Sequence, residues 1–277
     1  FATEGEVEES LGCKPGYIGP VAVDGQKVAV FADRTVAAMS DFVARKIRAR
    51  VHDPVVAEKL IPKNHGFGTR RVPLETKYYE VYNQPNVRLI DINETPIERI
   101  TEHGIRTSAE DLAFDMIIYA TGFDALTGSF DRIDIQGVDG QRLREAWKDG
   151  PRSFVGMQVV GFPNMLMLLG PHTALGNIPR SIEYNVEWVA DFLEHLRAHG
   201  VTRAEPTAQA QAEWLEVVKA SAEGLLSNEV SSWFTGVNTN IEGKGQRILA
   251  RYSGSAPEYR KRCDAIAAGG YREILRA

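Results

Sequence analysis

Apolar side chains recur at the spacing of one helix face in several parts of the chain. The first such stretch begins at Asp33, a suitable N-cap residue, and a shorter helix is predicted after Asp53 and Pro54. The clearest helix begins after Asn177 and ends before Gly200. Two further helices are predicted around residues 210–226 and 256–275. The inward face of the clearest helix is predicted to consist of Ile182, Val186, Val189, Leu193 and Leu196.

Short apolar runs between these helices predict strands. The sharpest is "FDMIIYATG" (114–122), which is long enough for a buried parallel strand that ends at Gly122. Residues 86–92 and 164–170 are predicted as further strands, and a hairpin is predicted around Glu102–Gly104. Buried strands that alternate with helices predict an α/β fold. Residues 1–27 lack a clear period and are predicted to form an irregular arm.

Composition excludes several classes of protein. The formal net charge of −5 argues against broad nucleic-acid binding, and no apolar run is long enough to predict a membrane span. Only two cysteines occur, Cys13 and Cys263, and their separation predicts neither a metal site nor a disulfide framework. A reducing, cytoplasmic location is therefore expected. Because the chain opens on Phe1, a fragment of a longer protein is a further expectation.

The motifs that cradle phosphate groups are missing. "GFGTRR" (66–71) begins like the glycine motif of dinucleotide-binding folds, but an arginine stands where the third glycine belongs and no clear helix comes after it. Arg70 and Arg71 have two interpretations. They form a solvated surface pair, or they bind two separate anions, because adjacent side chains of an extended segment point to opposite sides.

The segment "YATGFD" (119–124) also has two interpretations. The first is a strand followed by a turn. The second is a ligand contact, since glycine has no Cβ and lets the backbone approach a flat ligand at the carboxyl end of a strand.

Several stretches together resemble the Baeyer–Villiger monooxygenase family. The resemblance covers the chain from about residue 33 to its end and combines motifs that are far more specific jointly than singly. It rests on "DPVVAEKLIPKNHGFGTRRVPLETKYYEVYNQPNVRLID", "FDMIIYATGFDALTGSFDRIDIQG", "GFPNMLMLLGP", "SIEYNVEWV", "SWFTGVNTNIEGK" and "YRKRCDAIAAGGYRE".

The resemblance implies an architecture. It implies an α/β chain that forms the second half of a flavoprotein with Rossmann-like FAD and NADP domains and a helical insertion. Residues 1–66 would form the arm and the insertion, 67–118 the returning half of the NADP domain, and 119–277 the returning half of the FAD domain. The N-terminal half of the same enzyme would be the missing partner.

The resemblance also implies a reaction. Ketones would be converted to esters or lactones with NADPH and O2, through a flavin peroxide stabilised by Arg71. Arginine suits that role because it holds its positive charge and does not surrender a proton. Arg70 would bind the 2′-phosphate of NADP.

The remaining site residues are implied in the same way. Trp233 would contact the nicotinamide cofactor in a mobile loop, although core packing is the commoner role of tryptophan. His172 is expected to be either a polar pocket residue or an ordinary loop histidine. The flavin contacts would be Thr121, Gly122, Phe123 and Ile178, and the substrate contacts would be Thr173, Ala174 and Leu175.

Two other functions stay open at this point. A related flavin monooxygenase would oxidise nitrogen or sulfur atoms, a reaction that does not need the cation at Arg71. Alternatively, the chain is a non-catalytic fragment or accessory subunit, which the missing glycine motifs favour.

Overall fold

The computed structural model describes residues 25–276 of the protein. These residues form two compact units that divide between Thr121 and Gly122. Residues 1–24, which include most of the predicted irregular arm, lie outside the described residues. No helix among the described residues is long and apolar enough to cross a membrane.

The first unit opens with two helices, α1 (Gly25–Arg50) and α2 (Pro54–Leu60). The predicted start of α1 at Asp33 is wrong, because no glycine or proline between Gly25 and Asp33 stops the helix from extending toward the N-terminus. The predicted start of α2 is confirmed. The Asp53 carboxylate accepts hydrogen bonds from the first free amides of α2, as an N-cap does. The two helices enclose a small core of Ile47, Val51 and Ala57.

A small antiparallel sheet completes the first unit. After a 3-10 turn at Glu80–Asn83, it consists of β1 (Ile97–Thr101), β2 (Gly104–Thr107) and β3 (Asp111–Ala113), in that order. The predicted hairpin is confirmed, since Thr101 pairs with Gly104 across a two-residue turn. A Cβ at Gly104 would lie 1.9 Å from the Leu112 carbonyl oxygen, so the sheet requires glycine there.

Three predicted strands are wrong for the part of the chain that the structure describes. Residues 86–92, 114–121 and 164–170 have no regular structure. The central segment is also exposed rather than buried, with Met116 at 76% and Ile118 at 80% of full exposure. A strand needs a neighbour that pairs with successive backbone amides and carbonyls. Among the described residues these segments make only isolated backbone hydrogen bonds, such as Phe114 to His103 and Met167 to Met157, and no strand ladder.

The second unit is mainly helical. Its long helices α5 (Ile178–Ala198), α6 (Ala208–Ala222) and α7 (Ala256–Ala268) surround the main core. The last of these ends earlier than predicted, because residues from Ile274 pair as a strand instead. The shorter elements are α3 (Gly128–Asp131), α4 (Leu143–Ala146), β4 (Ala204–Pro206), β5 (Ile274–Arg276) and the 3-10 turns Val138–Gly140, Leu226–Asn228 and Trp233–Thr235.

Helix α5 buries a different face from the predicted one. Its bounds are confirmed, with the Asn177 side chain accepting the Arg180 amide. Val186 and Leu193 are exposed, however, at 43% and 46%. Val189 and Leu196 are buried as predicted, but the helix is turned so that the larger aromatic surface enters the core. There Trp188 stacks on Phe192, and Tyr271 meets Trp188 edge-on and Phe192 at a tilt. The buried residues of the helix are Asn185, Trp188, Val189, Phe192 and Leu196.

Candidate cofactor and substrate site

The turn that precedes the two arginines is held against helix α1. The Phe67 amide donates to the Ser40 hydroxyl over 2.9 Å. A Cβ at Gly66 would lie 2.5 Å from the Val36 side chain, and Gly68 has a φ of +81°, which strains other residues. The local structure therefore explains why glycine occupies both positions. The turn gives the two arginines an anchored support.

Arg70 and Arg71 lie in different environments. The Nε atom of Arg70 is buried, and the nearby Arg70 charge adds to burial in lowering the pKa of His65. Arg71 is exposed. Its guanidinium makes no hydrogen bond, ion pair or ring contact within the described part of the chain. An anchored cation with its donors free is available to an external anion.

The predicted flavin contacts Thr121, Gly122 and Phe123 form an exposed segment without regular structure. Phe123 is 84% exposed, which is unusual for an aromatic side chain. Gly122 has a φ of +78°, a value that suits glycine. The segment therefore presents bare backbone and an unburied ring.

His172 is fully buried, which sets it apart from an ordinary loop histidine. Its ring Nε2 lies 2.9 Å from the Leu249 carbonyl oxygen, and its amide donates to Ala250. Because a carbonyl only accepts, Nε2 carries the proton and Nδ1 does not. Nδ1 has no partner among the described residues. Burial lowers the pKa of His172, so the ring is neutral at pH 7.

The three predicted substrate residues come directly after His172. Thr173 and Ala174 are buried inside the second unit, where Ala174 pairs with Tyr252 and the Thr173 hydroxyl donates to the Gly156 carbonyl. Leu175 is half-buried. Ile178 begins helix α5 and is 41% exposed. Contact of these residues with a substrate stays a prediction, and in this conformation Leu175 is the side chain placed to make it.

The burial of His172 makes the stability of the second unit depend on pH. A group whose folded pKa is lowered stabilises the fold fully above its unfolded value of about 6.5 and loses that contribution as pH falls. His172→Gln keeps a donor for Leu249 but does not titrate. We expect wild-type stability to fall more steeply than that of the variant between pH 7.5 and 5.5. Urea unfolding at each pH measures this, and parallel curves would contradict it.

Trp233 lies in a well-defined turn at the start of a long loop. The Ser232 side chain caps the turn, and Gly236 ends it with a left-handed φ. Trp233 is 40% exposed, and its ring contacts the Phe234 ring. The Arg251 guanidinium carbon lies 4.3 Å from the centroid of the Phe234 ring. Trp233 is thus not a core residue, and its support keeps it at the surface.

A single segment, Ile248–Tyr252, connects two of the predicted site regions. On one side the Ile248 amide donates to Thr235, in the turn of Trp233. On the other side Leu249 and Ala250 bind His172, beside the predicted substrate residues. The Trp233 turn and the 172–175 loop are therefore both hydrogen-bonded to the same short backbone segment.

A half-buried ion-pair group, which sequence reasoning missed, ties down the loop that follows Trp233. Lys244 contacts the carboxylates of Asp124 and Asp131 and the hydroxyl of Thr127. Those partners are more than one hundred positions away in the sequence. Only Asp124 belongs to a recognisable motif, because it directly follows "ATGF".

Two concavities of the second unit lie away from the predicted residues. They are open grooves of about 560 and 590 Å³. Phe192 lines the first and Tyr252 lines the second, and none of the predicted contact residues lines either groove. A smaller pocket of about 180 Å³ touches Ala174 and is flanked by Arg180 and Arg260. That is below the volume usual for small-ligand sites, which is roughly 300–1,000 Å³.

One family profile matches a short part of the chain. The profile of the aminoacyl-tRNA editing domain matches residues 1–61. This region includes α1 and α2, ends before Arg70, and covers less than a quarter of the chain. It therefore does not define the class of the protein.

Relatives that match most of the chain are monooxygenases by name. The 2-oxo-Delta(3)-4,5,5-trimethylcyclopentenylacetyl-CoA monooxygenase of Pseudomonas putida is 44% identical over 265 residues, or 95% of this chain and 48% of that protein. A Baeyer–Villiger monooxygenase of Pseudooceanicola batsensis is 39% identical over 86% of this chain and 43% of its own length. Phenazine N-monooxygenase PhzNO1 of Lysobacter antibioticus is 37% identical over 86% of this chain and 43% of its own length.

Solved structures agree with these relatives. OTEMO in complex with FAD and NADP is 45% identical and aligns with a TM-score of 0.79 over 88% of this chain and 45% of that chain. Over the matched residues, the chain is similar to Baeyer–Villiger monooxygenases, and the resemblance drawn from its motifs is confirmed. The chain spans about half the length of the relatives it matches.

Proposed function

We propose that this chain is part of an FAD- and NADPH-dependent Baeyer–Villiger monooxygenase that converts ketones to esters or lactones with O2. The observation that carries the proposal is Arg71, an exposed cation on an anchored turn, with no hydrogen-bond, ion-pair or ring partner among residues 25–276. The proposal is also supported by the similarity of the chain to an enzyme whose structure contains both FAD and NADP.

The described residues fit both cofactors. Phe123 and Trp233 are exposed aromatic rings that suit contact with flat heterocycles, and Arg70 and Arg71 suit anions. When bound, the flavin would accept electrons from NADPH and deliver one oxygen atom of O2 to the ketone. Ile178, Thr121 and Gly122 would contact the flavin, and Leu175 with the backbone of Thr173 and Ala174 would border the substrate.

Arg71 would act on the charge that develops during oxygen transfer. Negative charge forms as the nucleophilic oxygen adds to the ketone carbonyl, and a fixed cation in a water-poor site stabilises it. A guanidinium does not act as a proton donor to such a group, so the nucleophile would stay unprotonated. Arg70 would pair with the 2′-phosphate of NADP through its planar set of donors.

The proposal includes the architecture. Residues 67–118 and 119–277 would be the returning halves of Rossmann-like NADP and FAD domains, with 1–66 as arm and helical insertion. The exposed apolar run around Met116 and Ile118 supports this, because an unpaired segment of that kind fits beside strands supplied from elsewhere. The N-terminal half of the same enzyme would supply them. A cytoplasmic location, inferred from the low cysteine content, belongs to the same proposal.

The intact enzyme, with both halves, provides the test. We expect a bound flavin spectrum, NADPH consumption that depends on a ketone, and products heavier than the ketone by one oxygen atom. A panel of cyclic, linear and aromatic ketones with product analysis by mass spectrometry measures all three. Absence of flavin, or of any ester or lactone, would overturn the proposal.

Oxidation of nitrogen is the second candidate function. It is favoured by the similarity to a relative that is named as a phenazine N-monooxygenase. The same assay separates the two, with a phenazine and a tertiary amine added to the panel. Amine or phenazine oxides without ketone products would favour the second candidate.

A further inference from the structure

Lys244 is held by three groups from one distant segment. Its Nζ atom donates to the Thr127 hydroxyl at 2.9 Å, lies 3.3 Å from an Asp124 carboxylate oxygen, and contacts the Asp131 carboxylate. The Asp124 side chain is only 11% exposed, and that of Lys244 is 23% exposed. Such shielded, charge-assisted contacts are stronger than surface ion pairs.

Lys244 stands at the returning end of the Trp233 loop, residues 232–248. The Lys244 carbonyl accepts the Asn238 amide at 2.8 Å, and its own amide donates to Ile241. The Ile248 amide closes the base of the loop on Thr235. The tip of the loop is thus a compact piece of backbone, and Lys244 is its charged connection to the 122–131 segment.

The segment that receives Lys244 is the one that carries two predicted flavin contacts. Gly122 and Phe123 immediately precede Asp124, whose carboxylate is the most shielded member of the ion-pair group. The same cation therefore holds the loop of the predicted nicotinamide contact next to the segment of the predicted flavin contacts.

We propose that Lys244 is a positioning residue, which fixes the Trp233 loop against the 122–131 segment and so orients Trp233 toward the nicotinamide cofactor. This rests on the proposed function. Lys244 itself does not reach the reacting atoms. Without its charge, Asp124 and Asp131 would face each other uncompensated and repel, so the loop would separate from the segment.

A positioning role and a merely structural one make different predictions. If Lys244 only stabilised the unit, its loss would weaken helix α5 and flavin binding together with the loop. If it positions the loop, its loss raises the dissociation constant of NADP⁺ and leaves FAD binding unchanged. The test therefore needs one readout for the loop, one for the fold and one for each cofactor.

The experiment uses Lys244→Met in the intact flavoenzyme, since methionine keeps the apolar stem without the charge. We expect hydrogen exchange in residues 236–245 to accelerate about tenfold and the dissociation constant of NADP⁺ to rise about tenfold, as for the loss of one strong charge-assisted contact. Exchange in α5 and the flavin spectrum should not change. Lys244→Arg should restore both values to within about threefold. Lys219→Met, which removes an exposed lysine paired with Glu216, is the matched control and should have no effect.

The outcomes separate this inference from the proposed function. Wild-type enzyme that binds no NADP⁺ would overturn the proposed function, and with it the cofactor role of Lys244. Wild-type binding with unchanged NADP⁺ affinity in Lys244→Met would overturn the positioning role alone, whether or not loop exchange accelerates. If Lys244→Met fails to fold, Asp131→Asn tests the same contact, and unchanged affinity there would overturn it equally.

Discussion

Replacement of Arg71 by alanine in the intact enzyme is expected to lower kcat/KM for ketone oxidation about 10³-fold while FAD remains bound. The reason is the loss of one preorganised charge or donor aimed at a developing anion, which costs roughly 10²–10³ in rate in other enzymes. Stability should change little. Arg71 is exposed and makes no contact within the described residues that the substitution would break.

Two variants sharpen the test of Arg71. Arg71→Lys keeps a positive charge but changes its geometry and can lose a proton, so an intermediate rate is expected. Arg99→Ala removes another exposed arginine of the same unit and should leave the rate within about twofold, as surface substitutions do. Steady-state kinetics over a range of ketone concentrations, at saturating NADPH, give kcat/KM for all three. A near wild-type rate in Arg71→Ala would exclude this residue as the stabilising cation.

The features predicted best from the sequence are those fixed by neighbouring residues. Asp53 and Asn177 cap their helices as expected, because a cap depends on a side chain and the amides two or three positions later. The hairpin at Glu102–Gly104 obeys equally local rules. The cap at Asp33 failed because a capping residue can also lie within a helix when nothing before it interrupts the pattern.

The features predicted worst depend on distant residues. The run at Met116–Ile118 has the composition of a buried strand, but burial and pairing need partner strands that the described chain does not contain. In α5, spacing alone predicted that Val186 and Leu193 are buried, whereas the stacking of Trp188 on Phe192 and its edge contact with Tyr271 decide the buried face. A period of 3.6 identifies a helix more reliably than it identifies the side that is buried.

The candidate site shows the same division. The motifs selected Arg71 and Trp233, and both are exposed as a binding role requires. No motif indicated that His172 is buried against Leu249 or that Lys244 joins Asp124. Those contacts link residues far apart in sequence, and neither a lone histidine nor a lone lysine signals its partner. The residues that hold a site in place are therefore harder to find from sequence than those that face the ligand.

Arg70→Ala should reduce the preference of the intact enzyme for NADPH over NADH about 30-fold. The two cofactors differ by the 2′-phosphate alone, so the ratio of their kcat/KM values isolates the contact that Arg70 would make. A charge-assisted contact contributes about 1.5–3 kcal/mol, which corresponds to roughly 10- to 150-fold. The loss should appear mainly in KM for NADPH, because the phosphate is far from the reacting atoms and binds equally in the ground and transition states.

The kinetics with NADH distinguish the loss of a phosphate contact from a general structural disturbance. The Nε atom of Arg70 is buried, so its removal also disturbs packing near His65. Such a disturbance would weaken both cofactors together, whereas loss of a phosphate contact leaves NADH kinetics unchanged. Arg70→Lys should retain much of the preference, since an ammonium still neutralises phosphate as a point charge. Equal losses with NADPH and NADH in Arg70→Ala would assign Arg70 to the support of the turn, and Arg71 would then be the only cofactor-facing cation of the pair.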